Sequence, residues 1–181
     1  DIEKMNLIKS LYFAAYSLIR QYEKSKSAES EAGLKTAIAY LADLLDKYKD
    51  SEYSERAYFR LGQIYNYLTD SKNSIANYKN LLDKYPAGEF SEQSNYEIAK
   101  LYFLQKDYEN TIKYLARFND KYPNSPLIND IKFSRAETYY LLKDWQNSIA
   151  AYQALLNDNT IDKTKKEYGY YIQELAYYKL G

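Results

Sequence analysis

One interval constrains this chain more than any other feature: a pattern that returns every 37 residues. The run Ser74-Ile75-Ala76-Asn77-Tyr78, continuing to Leu82-Asp83-Lys84-Tyr85-Pro86, comes back as Thr111-Ile112-Lys113-Tyr114 through Asp120-Lys121-Tyr122-Pro123. A further step gives Ser148-Ile149-Ala150-Ala151-Tyr152, and a step back gives Ala37-Ile38-Ala39-Tyr40 with Leu44-Leu45-Asp46-Lys47-Tyr48. Self-similarity at a period of this size marks a supersecondary unit that buries its apolar face only by stacking on copies of itself.

Each unit holds two helices. Before the segment above, Ala57, Phe59, Leu61, Gly62 and Tyr65 recur as Tyr96, Ile98, Ala99 and Tyr102, then as Phe133, Ala136 and Tyr139. The small residue (Gly62, Ala99, Ala136) keeps its place, as expected where two helix backbones approach closely. Asp70, Asp107 and Asp144 stand where a carboxylate can cap the second helix. Ser51, Gly88 and Ser125 hold the matching place before the first helix, with Pro126 suited to a first helical position. Pro86 and Pro123 stop the second helix. The reading is a helix at 3–23, a polar insert at 25–31 and a helix at 32–48. Helix pairs follow at 52–67 with 71–84, 89–104 with 108–121, and 126–141 with 145–157, and a last helix at 163–179. In domain terms this is a single solenoid over 1–181. It comprises a divergent first pair (1–50), repeats at 51–87, 88–124 and 125–161, and a capping helix of a truncated repeat at 162–181.

Composition agrees and excludes. There are five glycines, three prolines and no valine, which argues against strands and hairpins. His and Cys are absent, which removes the triads, thiol nucleophiles, disulfides and usual zinc ligands. Twenty-five basic residues balance 25 acidic ones, which argues against nucleic acid as a partner, since that needs a basic face. No apolar run reaches the ~20 residues of a membrane span. Paired acids such as Asp43/Asp46 and Glu29/Glu31 lie on helix faces or in the insert among lysines, not across a cleft as glycoside hydrolysis requires. The glycines are isolated, so no phosphate loop exists. No catalytic residue, cofactor or metal is expected. The chain begins at Asp1 without an initiator Met and reads as a processed or trimmed fragment.

The pattern resembles the tetratricopeptide repeat, which runs Trp-x2-Leu-Gly-x2-Tyr, then Ala, an aromatic, a small residue and Pro. Tyr58-x2-Leu61-Gly62-x2-Tyr65 with Ser74, Tyr78 and Pro86 carries it, followed by Ile98-Ala99-x2-Tyr102 with Thr111, Leu115 and Pro123. The third copy keeps Ala136-x2-Tyr139, Ser148 and Tyr152, but Lys132 and Arg135 replace the apolar pair and Thr160 replaces the proline. The long period and the Lys121-Tyr122-Pro123-Asn124-Ser125 style of joint look like the tetratricopeptide domains of bacterial envelope proteins. Examples are outer-membrane barrel-assembly lipoproteins and the coordinator of the Tol–Pal system. The resemblance implies an all-α, right-handed α-solenoid of about nine helices whose first helices line a concave face.

On that face a protein partner, as an extended peptide or a helix, would meet three rows: Phe59, Tyr96 and Phe133; Asn66, Phe103 and Tyr140; Gln63, Lys100 and Glu137. Each row has a second reading. Aromatics at helical spacing are usually core, and a row of mixed charge is usually a solvated face. Arg135 stands where Leu61 and Ile98 stand, so it either snorkels along Tyr139 or offers a guanidinium to an acidic partner. Trp145 matches Tyr108 as a turn-packing residue. The expected function is a non-enzymatic scaffold in a bacterial envelope assembly, in the periplasm or lipid-anchored upstream of Asp1, with a cytoplasmic place left open. Two alternatives are a homo-oligomer formed through the open solenoid end and a helical domain of a larger cell-wall enzyme.

Overall fold

The structure, a computed structural model, describes residues 2–181; Asp1 lies outside the described residues. Among these residues every regular element is an α-helix, and the fold is all-α. In chain order the helices are α1 (Ile2–Ser25), α2 (Ala28–Lys47), α3 (Ser54–Tyr67), α4 (Ser71–Lys84), α5 (Ser91–Leu104), α6 (Tyr108–Lys121), α7 (Ile128–Leu141), α8 (Trp145–Leu156) and α9 (Lys163–Leu180). The chain divides into two compact units, one up to Ser94 and one from Asn95 to Gly181, with the cut inside α5.

In the first unit α1 packs on α2, α2 on α3 and α3 on α4. Ile8, Tyr12, Ala15 and Ile19 make one stripe along α1, and Leu34, Ala37, Leu41 and Leu44 make its counterpart on α2. Both follow the i, i+4, i+7 spacing that puts side chains on one helix face. Ala57, Leu61 and Ile64 of α3 close the same core. The polar insert at 25–31 is corrected here: only residues 26–27 separate α1 from α2. Ser27 caps α2 by accepting from Ser30 N–H at 3.2 Å, while Ser30 Oγ accepts from Ser27 N–H at 3.0 Å. Glu29 and Glu31 then sit in the first turn, where the helix end favours negative charge. A serine-rich stretch that reads as loop is in fact a capped helix start. The surplus length of the first pair lies in its helices, 24 and 20 residues against 14 for α3 and α4.

The turns between paired helices repeat their geometry. Thr69, Lys106 and Lys143 take positive φ of 58°, 60° and 64°. The next residue's N–H reaches back to a tyrosine carbonyl, Asp70 to Tyr65 at 2.8 Å, Asp107 to Tyr102 at 3.0 Å and Asp144 to Tyr139 at 3.0 Å. This is a Schellman ending built on residues with side chains instead of glycine. The aspartates then cap α4, α6 and α8. Each accepts from the backbone N–H of Asn73, Asn110 or Asn147 on one oxygen and from that asparagine's amide on the other.

The joints leading into α3, α5 and α7 differ from expectation, because these helices begin at residues 54, 91 and 128, two residues later than the caps at Ser51, Gly88 and Ser125 imply. Two consecutive three-residue turns fill the space. Ser51 and Ser54 bond to Tyr48 and Ser51, Gly88 and Ser91 to Tyr85 and Gly88, and Ser125 and Ile128 to Tyr122 and Ser125. The extra three residues over the usual period of 34 amount to one such turn. Ser54 Oγ also donates to Tyr48 O at 3.0 Å, and Ser91 Oγ donates to Tyr85 O. Pro126 consequently precedes α7 without entering it.

In the second unit α6 packs on α7, α7 on α8, and α9 on both α7 and α8. Ala136, Tyr152, Leu155, Ile161 and Ile172 form its far core, with Phe133, Tyr140 and Leu175 against it. On α9, Ala176 is fully buried and Tyr177 is exposed.

A side chain at Gly62 would bring a Cβ to 2.5 Å from the Tyr78 ring. At the matching places the second repeat has Ala99 with Leu115 and the third has Ala136 with Tyr152, so the close approach to the ring is particular to the α3/α4 pair. Gly62→Ala is therefore expected to cost about 1–3 kcal/mol in chemical denaturation, and Tyr78→Leu in the same chain is expected to recover part of that loss. The Asp70 carboxyl is held below its ordinary value, first by the Asn73 backbone N–H and then by the Asn73 amide. Because the folded-state value is lowered, the cap contributes fully above the unfolded-chain value and loses its contribution as pH falls through the folded one. Asp70→Ala should cost about 1 kcal/mol at neutral pH, and denaturation at descending pH should show the two proteins converging.

Candidate functional site

The second unit carries the best-formed concavity among the candidate residues. It is a groove of about 190 Å³ between α5 and α7, floored by Ala99, Thr111 and Leu115. Tyr96, Lys100, Phe103 and Glu137 line it, four of the ten residues expected at a partner surface, joined by Leu104 and Ser134. The small residue Ala99 opens the floor, and the residues three and four positions away on the α5 face form its sides.

Each charged group on the rim is already oriented. Lys100 Nζ lies 2.9 and 3.1 Å from the two oxygens of Glu97 and 5.1 Å from the centroid of the Tyr96 ring. Such contacts add little stability at an exposed site; their effect is to hold the ammonium beside the groove. Opposite, Glu137 accepts the Tyr168 hydroxyl of α9 at 2.9 Å. Burial, and then that carboxylate, push the Tyr168 hydroxyl up to about 12, so it stays a protonated donor throughout the physiological range. Lys165 donates to Asp130 at 2.5 Å one turn earlier, so α9 is tied to the same α7 face twice.

Phe103 and Tyr140, from the second expected row, are partly covered by turn aromatics. Phe103 meets Tyr108 at 5.8 Å between ring centroids, and Tyr140 meets Trp145 at 5.2 Å. Phe103 keeps an edge in the groove; Tyr140 packs against the core around Tyr152. Phe133 lies half-buried against Tyr152 at 5.9 Å. In the first unit Phe59 is corrected from a partner contact to a core residue. It is 2% exposed and packs on Phe90 at 4.6 Å and Tyr78 at 5.7 Å. Gln63 accepts from Arg60 at 2.6 Å, and that guanidinium lies over the Tyr16 ring at 4.9 Å. Asn66 is exposed at the end of α3.

Arg135 is also corrected. It lies apart from the α5/α7 groove and lines a separate crevice between α7 and α8 with Lys132, Ala151 and Asp158. Sequence reasoning missed Leu104, which is 74% exposed and is the most open apolar side chain of the groove. A signal existed: Tyr67, Leu104 and Leu141 stand 37 residues apart, an apolar row at the last residue of three successive first helices. Among the described residues no cluster of three acidic, His or Cys side chains could hold a metal, and no helix is long and apolar enough to cross a membrane.

The YfiO outer membrane lipoprotein family model matches residues 69–127, and a tetratricopeptide repeat model matches residues 132–159. Among solved structures, a tetratricopeptide repeat protein from Parabacteroides merdae ATCC 43184 is 13% identical with a TM-score of 0.73. The match covers 95% of this chain and 60% of that one, so the chain spans less than two thirds of its length. The nearly identical TPR-like repeats of a putative kinesin light chain from Podosopora anserina are 14% identical with a TM-score of 0.66, covering 96% and 87%. At these identities the likeness is one of fold. No curated protein sequence matches the chain. The chain has the α-solenoid fold of tetratricopeptide-repeat proteins, and it is similar to the YfiO outer membrane lipoprotein family over residues 69–127 and to the tetratricopeptide repeat over residues 132–159.

If Tyr168 and Lys165 are the ties that hold α9 to α7, Tyr168→Phe should raise amide exchange in α9 by several-fold while leaving α3 and α4 unchanged. Hydrogen exchange read by mass spectrometry checks this.

Proposed function

We propose that this tetratricopeptide-repeat protein is a binding scaffold. Its α5/α7 groove receives an extended peptide or a helix of a protein partner, within a bacterial envelope assembly. Tetratricopeptide proteins are interaction scaffolds as a class, which supports the general reading. The observation that carries the specific one is the groove itself: an apolar floor with exposed Leu104 at its edge, between an oriented cation (Lys100) and an oriented anion (Glu137). An apolar side chain of the partner would fill the floor, and the opposed charges would fix the direction in which its segment lies. The envelope setting draws support from the outer membrane lipoprotein match over residues 69–127. In this reading the repeats at 51–87, 88–124 and 125–161 are its structural modules, and catalysis belongs to other proteins.

A second reading, a structural oligomeriser, has one observation in its favour. α9 exposes Tyr170, Tyr171, Tyr177 and Tyr178, the last at 80%, along one side of the helix. Light scattering across a concentration series decides it, since a strict monomer removes this reading.

A photo-crosslinking side chain at Leu104, an exposed site whose replacement disturbs no core, is expected to capture the partner in cells, while one at Lys113 on α6 is not. Leu104→Arg should weaken the captured complex at least about tenfold without moving the unfolding midpoint. Links found at Lys113 and absent at Leu104 would refute the groove.

A further inference from the structure

The third repeat departs from its predecessors at a second place. Position for position, the residues Tyr58 and Leu61, then Asn95 and Ile98, become Lys132 and Arg135 on α7. On the facing helix Asn77 and Asn80, then Tyr114 and Arg117, become Ala151 and Ala154 on α8. One wall has gained two cations while the other has shrunk to methyl groups. Between them lies a crevice of about 130 Å³, lined by these four residues with Leu155 and Asp158.

Arg135 occupies a core row: its counterparts Leu61 and Ile98 are 5% and 0% exposed. Its Nε is buried, and among the described residues it has no hydrogen-bond partner. Leaving a buried donor unmade is costly, so the Arg135 Nε–H is held in the folded chain with its bonding capacity unused. Asp158 also lines the crevice: its Oδ1 accepts from Thr160 N–H at 2.8 Å and from Thr160 Oγ1 at 2.7 Å, and its charge is balanced by Lys132 and Lys166, which leaves Arg135 without a bonded acid. The space suits a carboxyl-bearing side-chain end and is well below the roughly 300 Å³ of a drug-sized pocket.

We propose that the α7/α8 crevice receives an acidic side chain, a Glu or Asp of a protein partner, with Arg135 as the donor that meets it and Lys132 as the supporting charge. Guanidinium and carboxylate match in plane and charge, and the pairing satisfies a donor the folded chain leaves open. The crevice is separate from the α5/α7 groove and stands or falls independently of it.

The test follows the Arg135 Nε–H signal in a ¹⁵N-labelled chain, identified by its loss in Arg135→Lys. Capped tetraglutamate should shift this signal saturably, while capped tetraglutamine should leave it still and the Leu104 and Phe103 amides should not respond. Lys132→Ala should weaken the response about tenfold. Arg135→Leu should remove binding while the chain stays folded, as Leu61 and Ile98 at the same place lead one to expect. No shift with tetraglutamate overturns the proposal. So does a shift produced by inorganic phosphate with tetraglutamate silent, which would assign the crevice to a small inorganic anion. If Asp158→Asn moves the signal in the free chain, the guanidinium is already spent on that acid, and the proposal falls as well.

Discussion

The architecture depends on how closely two antiparallel helices can meet at one level of each hairpin. Where α3 carries Gly62, the Tyr78 ring of α4 lies against bare backbone and Ser74 Oγ donates to the Gly62 carbonyl at 2.8 Å. In the third repeat Ser148 Oγ donates to Ala136 O at 3.1 Å. A helical carbonyl already serves its own ladder, so a second donor from the neighbouring helix fixes depth and register together without leaving a polar group unpaired. The second repeat solves the same problem differently, since Thr111 turns its hydroxyl to Asp107 O of its own turn and Asn95 donates to Tyr114 O. Once that level is set, the rows of side chains on the first helices follow, including the opening above Ala99 that becomes the groove.

Much of this was legible because the signals were local and repeated. Asp70, Asp107 and Asp144 are caps in the structure as in the sequence, and the small residues sit at the helix contacts. The companion signal, an asparagine three residues after each aspartate, was equally present and is what completes the cap. What escaped was backbone geometry without a residue signature. Thr69, Lys106 and Lys143 share a left-handed conformation, yet none is the glycine or asparagine that usually announces it. The stretch around Ser27 failed for the opposite reason, because serine favours caps and loops alike and only the bond to Ser30 tells them apart.

At the groove, the sequence placed Tyr96, Lys100 and Phe103 along one helix and could not say which side chains faced outward. Phe59 and Tyr96 occupy one lattice position, yet only Phe59 is fully buried, because Tyr78 and Phe90 close over it. Glu137 was legible as a charge of opposite sign to Lys100. Its bond to Tyr168 was not, since 31 residues separate the partners and α9 lies off the 37-residue lattice.

The caps also bear on how such a chain can change over generations. Each of the three later hairpins is closed by bonds between residues of its own stretch: aspartate to asparagine three places on, and aspartate N–H back to tyrosine. A gene segment encoding 37 residues can therefore be copied or lost in frame without orphaning a helix end, since every copy brings its own stops and starts. Divergence is then free to collect on the surfaces between those fixed points, as the exchange of Leu61 and Ile98 for Arg135 illustrates. A family built this way can acquire new binding chemistry one hairpin at a time while its folding rules stay constant.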